Sequence, residues 1–317
     1  MTQIAFGPVP SRRLGQSLGI NNIPPKACTY SCTYCQVGPT AQTSLARRAF
    51  YPVAQIVAEV TARVAALRAR GERIDHLTFV PDGEPTLDVH LGEVIAQLRT
   101  LGIPVAAISN GSLVWREDVR AELGTADWVS LKVDSVDEAV WRQLNQPHAD
   151  LRLDTVLAGM LEFAAAYRGC LVTETMLVAG VNDDESRVDR TAAFVARLRP
   201  QTAYLLVPTR PTAFATARAP DEAVVTRAYQ AFVRHVPEVE LLTGGEPAAF
   251  GATGDAETDL LSTTAVHPMR ETAVRELLAK DGATWDVVER LLRARQLAAV
   301  EYRGERFYIR RFRRAAP

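Results

Sequence analysis

Three cysteines that lie close together in the sequence are the residues best suited to chemistry. Cys28, Cys32 and Cys35 form a C-x3-C-x2-C pattern in one short segment. Three thiolates at this spacing can bind three irons of a [4Fe–4S] cluster and leave the fourth iron open to a non-protein ligand. Structural zinc is the alternative, but it requires four ligands; no histidine lies nearby, and the remaining cysteine is the distant Cys170. The spacing therefore favours an iron–sulfur cluster.

The composition is that of an ordinary globular protein. The chain has 317 residues, of which 47% are hydrophobic and 23% are charged, with four cysteines and a formal net charge of -1. These values exclude disordered, collagen-like and coiled-coil proteins and secreted disulfide frameworks. The sequence contains neither a signal-peptide pattern nor an apolar run long enough to span a bilayer. We therefore expect a cytoplasmic protein that does not interact with membranes.

Strand patterns alternate with helical patterns over the first three quarters of the chain. The helical spacing of Ile56, Val57, Val60, Val64 and Leu67 predicts a first helix over residues 51–70. Strands are predicted at 76–80, 104–108, 128–133, 171–178, 203–207 and 239–242. About six such units predict an α/β fold with a partial (βα)6-type barrel, whose active site lies at the carboxyl ends of the strands.

The C-terminal part of the sequence follows a different pattern. We predict a barrel domain over residues 1–245, a linker over 246–267 and a small α+β domain over 268–317. The last segment contains two helical patterns and a hairpin turning at Arg303-Gly304-Glu305, which is the outline of a winged helix. Its 12 Lys and Arg exceed its 7 Asp and Glu by 5. This excess indicates an anionic partner such as nucleic acid, with a solvated terminus as the alternative.

The cysteine segment and its neighbours resemble the radical S-adenosylmethionine (SAM) superfamily, whose signature is C-x3-C-x-aromatic-C. Tyr34 occupies the aromatic position. Further stretches resemble the bacterial and archaeal proteins related to wybutosine (wyosine) synthases: Phe6-Gly-Pro-Val-Pro-Ser-Arg-Arg-Leu-Gly15, Leu18-Gly-Ile-Asn21, Cys35-Gln-Val-Gly38 and Gly83-Glu-Pro-Thr-Leu87. The resemblance covers most of residues 5–250.

The resemblance implies two cofactors, a [4Fe–4S] cluster and SAM. In that family SAM chelates the open iron, and an electron from the cluster cleaves its C5′–S bond to give a 5′-deoxyadenosyl radical that abstracts hydrogen from a substrate. The implied metal ligands are Cys28, Cys32 and Cys35, which we also count, with Lys132, as catalytic. The implied cofactor-binding residues are Tyr34, Gly83, Glu84, Asn110, Ser130, Lys132 and Asn182.

Several of these residues also have reasons in the sequence itself. Gly83 allows close backbone approach, and Glu84 offers a carboxylate to the SAM amino group. Ser130, Lys132 and Asp134 alternate with apolar residues, so they share one strand face, which in a barrel is the lumen. Lys132 there could hold a carboxylate or an anionic substrate; the alternative is an ion pair with Asp134.

Other motifs are open to two interpretations. Arg12 and Arg13 could close the barrel or bind substrate, and Arg210 could meet an anion or lie on the surface. His148 could face the site from its loop. Cys170, at the start of a strand, is expected to be buried and structural. The literal Gly-Gly-Glu at 244–246 is expected to be a turn, because it follows the last strand.

The leading functional hypothesis is a radical SAM enzyme acting on RNA or tRNA, with an electron donor such as flavodoxin or ferredoxin. Wyosine synthases bind a second cluster through additional N-terminal cysteines, and this chain has none before Cys28. Wyosine formation itself is therefore not expected. Two alternatives stay open: modification of a peptide, protein or small metabolite, and a non-catalytic iron–sulfur redox sensor that binds nucleic acid.

Overall fold

The larger part of the computed structural model is a curled, mostly parallel sheet with helices on its outer face. The structure describes residues 3–244 and 250–311. Within them, eight strands pair in chain order, β1 antiparallel to β2 and the others parallel. The strands are β1 (Ala5–Ser11), β2 (Gly15–Ile20), β3 (His76–Phe79), β4 (Val105–Ser109), β5 (Trp128–Lys132), β6 (Cys170–Met176), β7 (Thr202–Leu206) and β8 (Val239–Leu242). The predicted partial barrel is confirmed as a half-barrel.

Helices connect the parallel strands, because a parallel pair needs a crossover connection that an α-helix usually provides. They are α1 (Val53–Ala69), α2 (Leu91–Leu98), α3 (Glu117–Leu123), α4 (Glu138–Asn145), α5 (Leu153–Ala166), α6 (Glu185–Leu198) and α7 (Glu222–Val233), with short 3-10 turns at Pro85–Leu87 and Arg99–Leu101. The helix predicted from residue 51 is confirmed, and it buries Ile56, Val60, Val64 and Leu67 against the sheet. No helix in the described part of the chain is long and apolar enough to cross a membrane.

Strands β1 and β2 form a hairpin at the edge of the sheet, and the turn between them packs against its concave face. Leu14, in its turn, belongs to one buried apolar cluster with Trp128, Tyr204 and Leu242 from β5, β7 and the end of β8. The sequence predicts no strands here, because glycines and prolines interrupt the alternation of apolar and polar residues. Tertiary packing overrides that weak local preference.

The segment predicted as a linker contains a helix, α8 (Ala256–Val266). Leu260 and its polar neighbours Ser262, Thr263 and Thr264 are all buried. The helix has no apolar stripe of period 3.6, because small polar residues take part in its packing, and the sequence therefore gave no helix signal. Residues 256–266 of the predicted linker are therefore helical, and residues 245–249 lie outside the described part.

The last part of the chain forms a small unit with its own apolar core. Its elements are β9 (Met269–Arg270), α9 (Glu271–Lys280), α10 (Asp286–Arg293), β10 (Leu297–Tyr302) and β11 (Glu305–Arg310), with strands ordered β10–β11–β9. Val274, Leu277, Val288 and Leu291 belong to this core, which Leu260 of α8 also joins. The predicted helices and hairpin are confirmed; the winged-helix assignment and the domain boundaries stay predictions.

Candidate functional site

The three clustered cysteines lie in the loop between β2 and α1, at the carboxyl edge of the sheet. Cys28, Cys32 and Cys35 all line one pocket of about 280 Å³. Cys170 begins β6 at the opposite edge, where its thiol donates to Gln201 Oε1 at 2.8 Å. Cys170 is only half-buried, so the prediction of a buried residue is wrong, and it cannot be a fourth ligand at this pocket.

Each of the three sulfurs receives one N–H from a different side chain. Asn110 Nδ2, after β4, lies 3.8 Å from Cys28 Sγ, and Asn145 Nδ2, at the end of α4, lies 3.5 Å from Cys32 Sγ. Lys26 Nζ, in the same loop, lies 3.6 Å from Cys35 Sγ. Donors of this kind stabilise negative charge on sulfur, so the pocket is prepared for thiolates.

Burial opposes ionisation of these thiols in the absence of a metal. It raises the pKa of Cys32 to about 12, with Asp134 and Cys35 adding to the effect. The pKa of Cys28 is raised further, by burial and by the neighbouring Cys32. Coordinating metal deprotonates a thiol outright, and its positive charge offsets this cost. The donor set therefore fits a cationic iron centre.

A buried hydrogen-bond network fixes the cysteine loop to the sheet. The Tyr34 hydroxyl donates to Asp134 Oδ2, which also accepts from Asn145 Nδ2 at 2.7 Å. The backbone N–H of Met176 donates to Asp134 Oδ1 at 2.8 Å. The aromatic residue of the cysteine motif thus anchors the loop to β5 and β6, in addition to lining the pocket.

The segment after β3 contacts the cysteine loop closely. A Cβ on Gly83 would lie 2.0 Å from the Ala27 carbonyl oxygen, so a residue with a side chain does not fit at this position. The Glu84 N–H donates to the same oxygen at 3.0 Å. The close approach expected of Gly83 is therefore to the cysteine loop itself.

The Glu84 carboxylate is buried and already accepts several hydrogen bonds. Oε1 accepts from Ser109 Oγ and Thr86 Oγ1, each at 2.7 Å, and Oε2 accepts from the Asn110 N–H at 2.8 Å. Burial raises the Glu84 pKa despite these donors. Glu84 therefore organises the strand ends of β3 and β4, and Oε2 keeps room for a further donor.

The predicted polar face of β5 meets a carboxylate from β6. Glu174 accepts from Ser130 Oγ at 2.8 Å, from Lys132 Nζ at 3.0 Å and from the Arg13 guanidinium. Burial opposes its ionisation, but Arg13 and Lys132 outweigh that effect and lower its pKa to about 2. The alternative pairing of Lys132 with Asp134 is wrong: the ion pair is made with Glu174, which is directly opposite Lys132 in the parallel register.

The comparisons with known proteins agree with this site. Residues 22–192 match the radical SAM superfamily. The chain belongs to the radical SAM superfamily. A UPF0026 protein of Methanocaldococcus jannaschii is 44% identical over 309 residues, which is 97% of this chain and 96% of the relative. A GTP 3′,8-cyclase of Paenarthrobacter nicotinovorans is 27% identical over 161 residues, covering 50% of this chain and 42% of that protein.

Solved structures show the same fold at low sequence identity. A structure of TYW1 with a lysine-pyruvate adduct bound has a TM-score of 0.55 and 14% identity, and the match covers 69% of this chain and 74% of that one. The expected kinship with wybutosine synthases is thus confirmed at the level of superfamily and fold.

As a radical SAM protein, the chain uses a [4Fe–4S] cluster and SAM. Three thiols in one pocket, each with an N–H donor, fit a cluster held at three irons. Among residues 3–244 and 250–311, no three His, Cys, Asp or Glu side chains are placed to hold a single metal ion.

Arg12, Arg13 and Arg210 hold parts of the radical SAM pocket together. Arg12 donates to the Gly244 carbonyl at 3.1 Å, which links the β1–β2 turn to the end of β8. Arg210 Nη1 donates to Gln36 Oε1 at 2.9 Å, and Gln36 Nε2 donates to the Val266 carbonyl at 3.1 Å. Gln36 follows Cys35 directly, so α8 is tied to the cysteine loop. Gly245 and Glu246, of the expected turn, lie outside the described residues.

Two further candidates lie away from the pocket lining. Asn182 Nδ2 donates to the carbonyls of Asp134 and Met176, each at 2.8 Å, while its Oδ1 accepts from the Val178 N–H. These contacts fix the turn after β6, and the cofactor role of Asn182 stays a prediction. His148 Nδ1 lies 3.8 Å from an Asp150 carboxylate oxygen.

Asn145 is a site residue that the sequence does not predict, although it lies in the same Asn145-Gln-Pro-His148 segment as His148. The local pattern carries no signal for its contact with Cys32, which lies 113 positions away. Lys26 does carry a signal in the sequence. Only three lysines occur in the chain, so each is less often a random surface charge.

Proposed function

We propose that this protein is an enzyme that cleaves SAM reductively and uses the product radical to modify a nucleotide-containing substrate, such as RNA or tRNA. The observation that carries the proposal is the shared pocket, in which three N–H-bonded thiols face the polar side chains of β5 and β6. When bound, the cluster and SAM supply a 5′-deoxyadenosyl radical that removes a hydrogen atom from the substrate.

The chain's own residues hold and enclose the reactants. Cys28, Cys32 and Cys35 hold the cluster, and Glu84 offers Oε2 to the SAM amino group. The half-barrel and the turn of its N-terminal hairpin close the lumen with apolar side chains and so exclude water. This exclusion protects a radical from side reactions. Lys132 and Arg13 bring two positive charges against the one carboxylate of Glu174, and this excess favours an anionic ligand.

A nucleotide substrate is also supported by the GTP 3′,8-cyclase relative, whose name denotes a nucleotide reaction. The basic residues of the C-terminal unit would then contact the RNA backbone. We place the enzyme in the cytoplasm, where a flavodoxin or ferredoxin would supply the electron.

The test is anaerobic reconstitution of the cluster, followed by addition of SAM and dithionite and an assay for 5′-deoxyadenosine. We expect product from the wild type and none from Cys32→Ala. Protein that holds zinc at these cysteines, or that holds the cluster and leaves SAM intact under strong reduction, would refute the proposal.

The Glu84→Ala variant separates an enzyme from a redox sensor. The sensor would keep its redox response, whereas the enzyme would lose SAM cleavage while retaining iron. Iron content, measured on the same samples, controls for loss of the cluster.

A peptide substrate is the second candidate, because β10 is an edge strand of the C-terminal sheet. An extended peptide could add to that edge through main-chain hydrogen bonds. Stimulation of SAM cleavage by total tRNA but not by peptides encoded near the gene would support the nucleotide proposal; the reverse result would favour the peptide.

A further inference from the structure

Lys26 has an unusual backbone conformation beside the cysteine loop. Its φ is 65°, in the left-handed region that a residue with a side chain rarely adopts. The Lys26 N–H donates to the Asp82 carbonyl oxygen at 2.7 Å, which ties the loop to the end of β3. The fold therefore holds Lys26 in place by contacts with a different strand.

The Lys26 ammonium group lies between a sulfur and a carboxylate. Nζ donates to the Gly38 carbonyl at 2.5 Å and lies 3.6 Å from both Cys35 Sγ and Asp82 Oδ1. The Asp82 side chain is 4% exposed, and neither of its oxygens has a closer hydrogen-bond partner among the described residues. The Lys26 ammonium group therefore lies between the Asp82 carboxylate and the Cys35 sulfur.

The other two thiols have neutral donors. Cys28 receives its N–H from Asn110 and Cys32 from Asn145, both of which are amides. Only the donor at Cys35 carries a full positive charge. Charge and hydrogen bonding at the ligand sulfurs are among the factors that set the potential of an iron–sulfur cluster.

We propose that Lys26 is a positioning residue that raises the reduction potential of the cluster through Cys35, and that the Asp82 carboxylate lowers this potential. Reduction adds one electron to the cluster, from [4Fe–4S]2+ to [4Fe–4S]+, without making or breaking a bond. A nearby positive charge stabilises the added electron, and a nearby negative charge destabilises it. This inference rests on the proposed function only in requiring that the cluster be bound.

The test is a midpoint potential measured by EPR during titration with dithionite at pH 8. We expect Lys26→Gln to lower the midpoint potential by about 59 mV. For one electron this shift is about a tenfold change in the ratio of reduced to oxidised cluster at a fixed potential. Gln keeps a neutral donor at the same position, so this variant isolates the charge. Asp82→Asn should shift the potential in the opposite direction.

Two matched variants serve as controls. Lys26→Arg keeps the charge and should restore a potential near that of the wild type. Lys280→Gln removes the same charge from the C-terminal unit, where Nζ donates to the Phe250 carbonyl, and should leave the potential unchanged.

The possible failures are distinguishable. A wild type that holds no iron–sulfur cluster would contradict the proposed function. Loaded proteins in which Lys26→Gln and Asp82→Asn both keep the wild-type potential, or shift it in the same direction, would overturn this inference alone. If Lys26→Gln cannot hold the cluster, Asp82→Asn decides: an unchanged or lower potential overturns the inference.

Discussion

Two buried carboxylates near the pocket have opposite electrostatic surroundings. Glu174, 2% exposed on β6, is within hydrogen-bond reach of two cations and a hydroxyl, and its pKa is lowered to about 2. Asp82, 3% exposed after β3, has one cation at 3.6 Å, and burial raises its pKa to about 7 although Lys26 partly offsets the shift. Equal burial thus stabilises or penalises a charge according to the partners at contact distance.

The largest expected effect on stability comes from removing the Glu174 charge. Glu174→Gln leaves Arg13 and Lys132 beside each other without their carboxylate, and should reduce the free energy of unfolding by about 3–5 kcal/mol. Anaerobic urea unfolding of the apoprotein measures it. A loss below about 1 kcal/mol would mean that solvent reaches this group and that the comparison fails.

The acid limb of the stability profile tests the same group. Because the Glu174 pKa is about 2 in the folded protein and near 4.3 unfolded, its contribution is complete above about pH 4.3 and is lost as the pH falls towards 2. Unfolding measured from pH 6 down to pH 2.5 should show a steeper loss for the wild type than for Glu174→Gln. Parallel curves would contradict the assignment.

Asp82 should show the opposite dependence. Its folded pKa of about 7 exceeds the unfolded value near 3.9, so the folded state binds more protons and stability falls as the pH rises from about 4 to 7. The free energy of unfolding of Asp82→Asn, relative to that of the wild type, should therefore increase by on the order of 3 kcal/mol when the pH is raised from 5 to 8. Urea unfolding at the two pH values gives this difference; if it does not change with pH, the carboxylate is already solvated.

The smallest effect is expected at an exposed pair that joins α8 to α10 of the C-terminal unit. Arg290 and Glu257 form a salt bridge with side chains 59% and 43% exposed. Glu257→Gln should change the free energy of unfolding by less than about 1 kcal/mol, because water screens the pair. Measured beside Glu174→Gln, it shows how much of that loss comes from burial; an equal loss would remove the distinction.

Much of the fold could be predicted because its signals are local. Helical spacing located α1, and apolar runs located β3 to β8, since these patterns depend on neighbouring residues. The β1–β2 hairpin and α8 were missed. Both contain residues whose local preference is weak, and both are held by contacts with distant parts of the chain.

The sequence by itself determined the cysteine motif, with its three thiols in one short loop, and the polar face of β5. The tertiary structure decided which groups meet there: Glu174 rather than Asp134 beside Lys132, Arg13 across the lumen, and Asn110, Asn145 and Lys26 at the three sulfurs. The physical reason is that spacing along the chain fixes only what nearby residues can do together. Arg13 and Glu174 are 161 positions apart, and only the curl of the sheet brings them into contact.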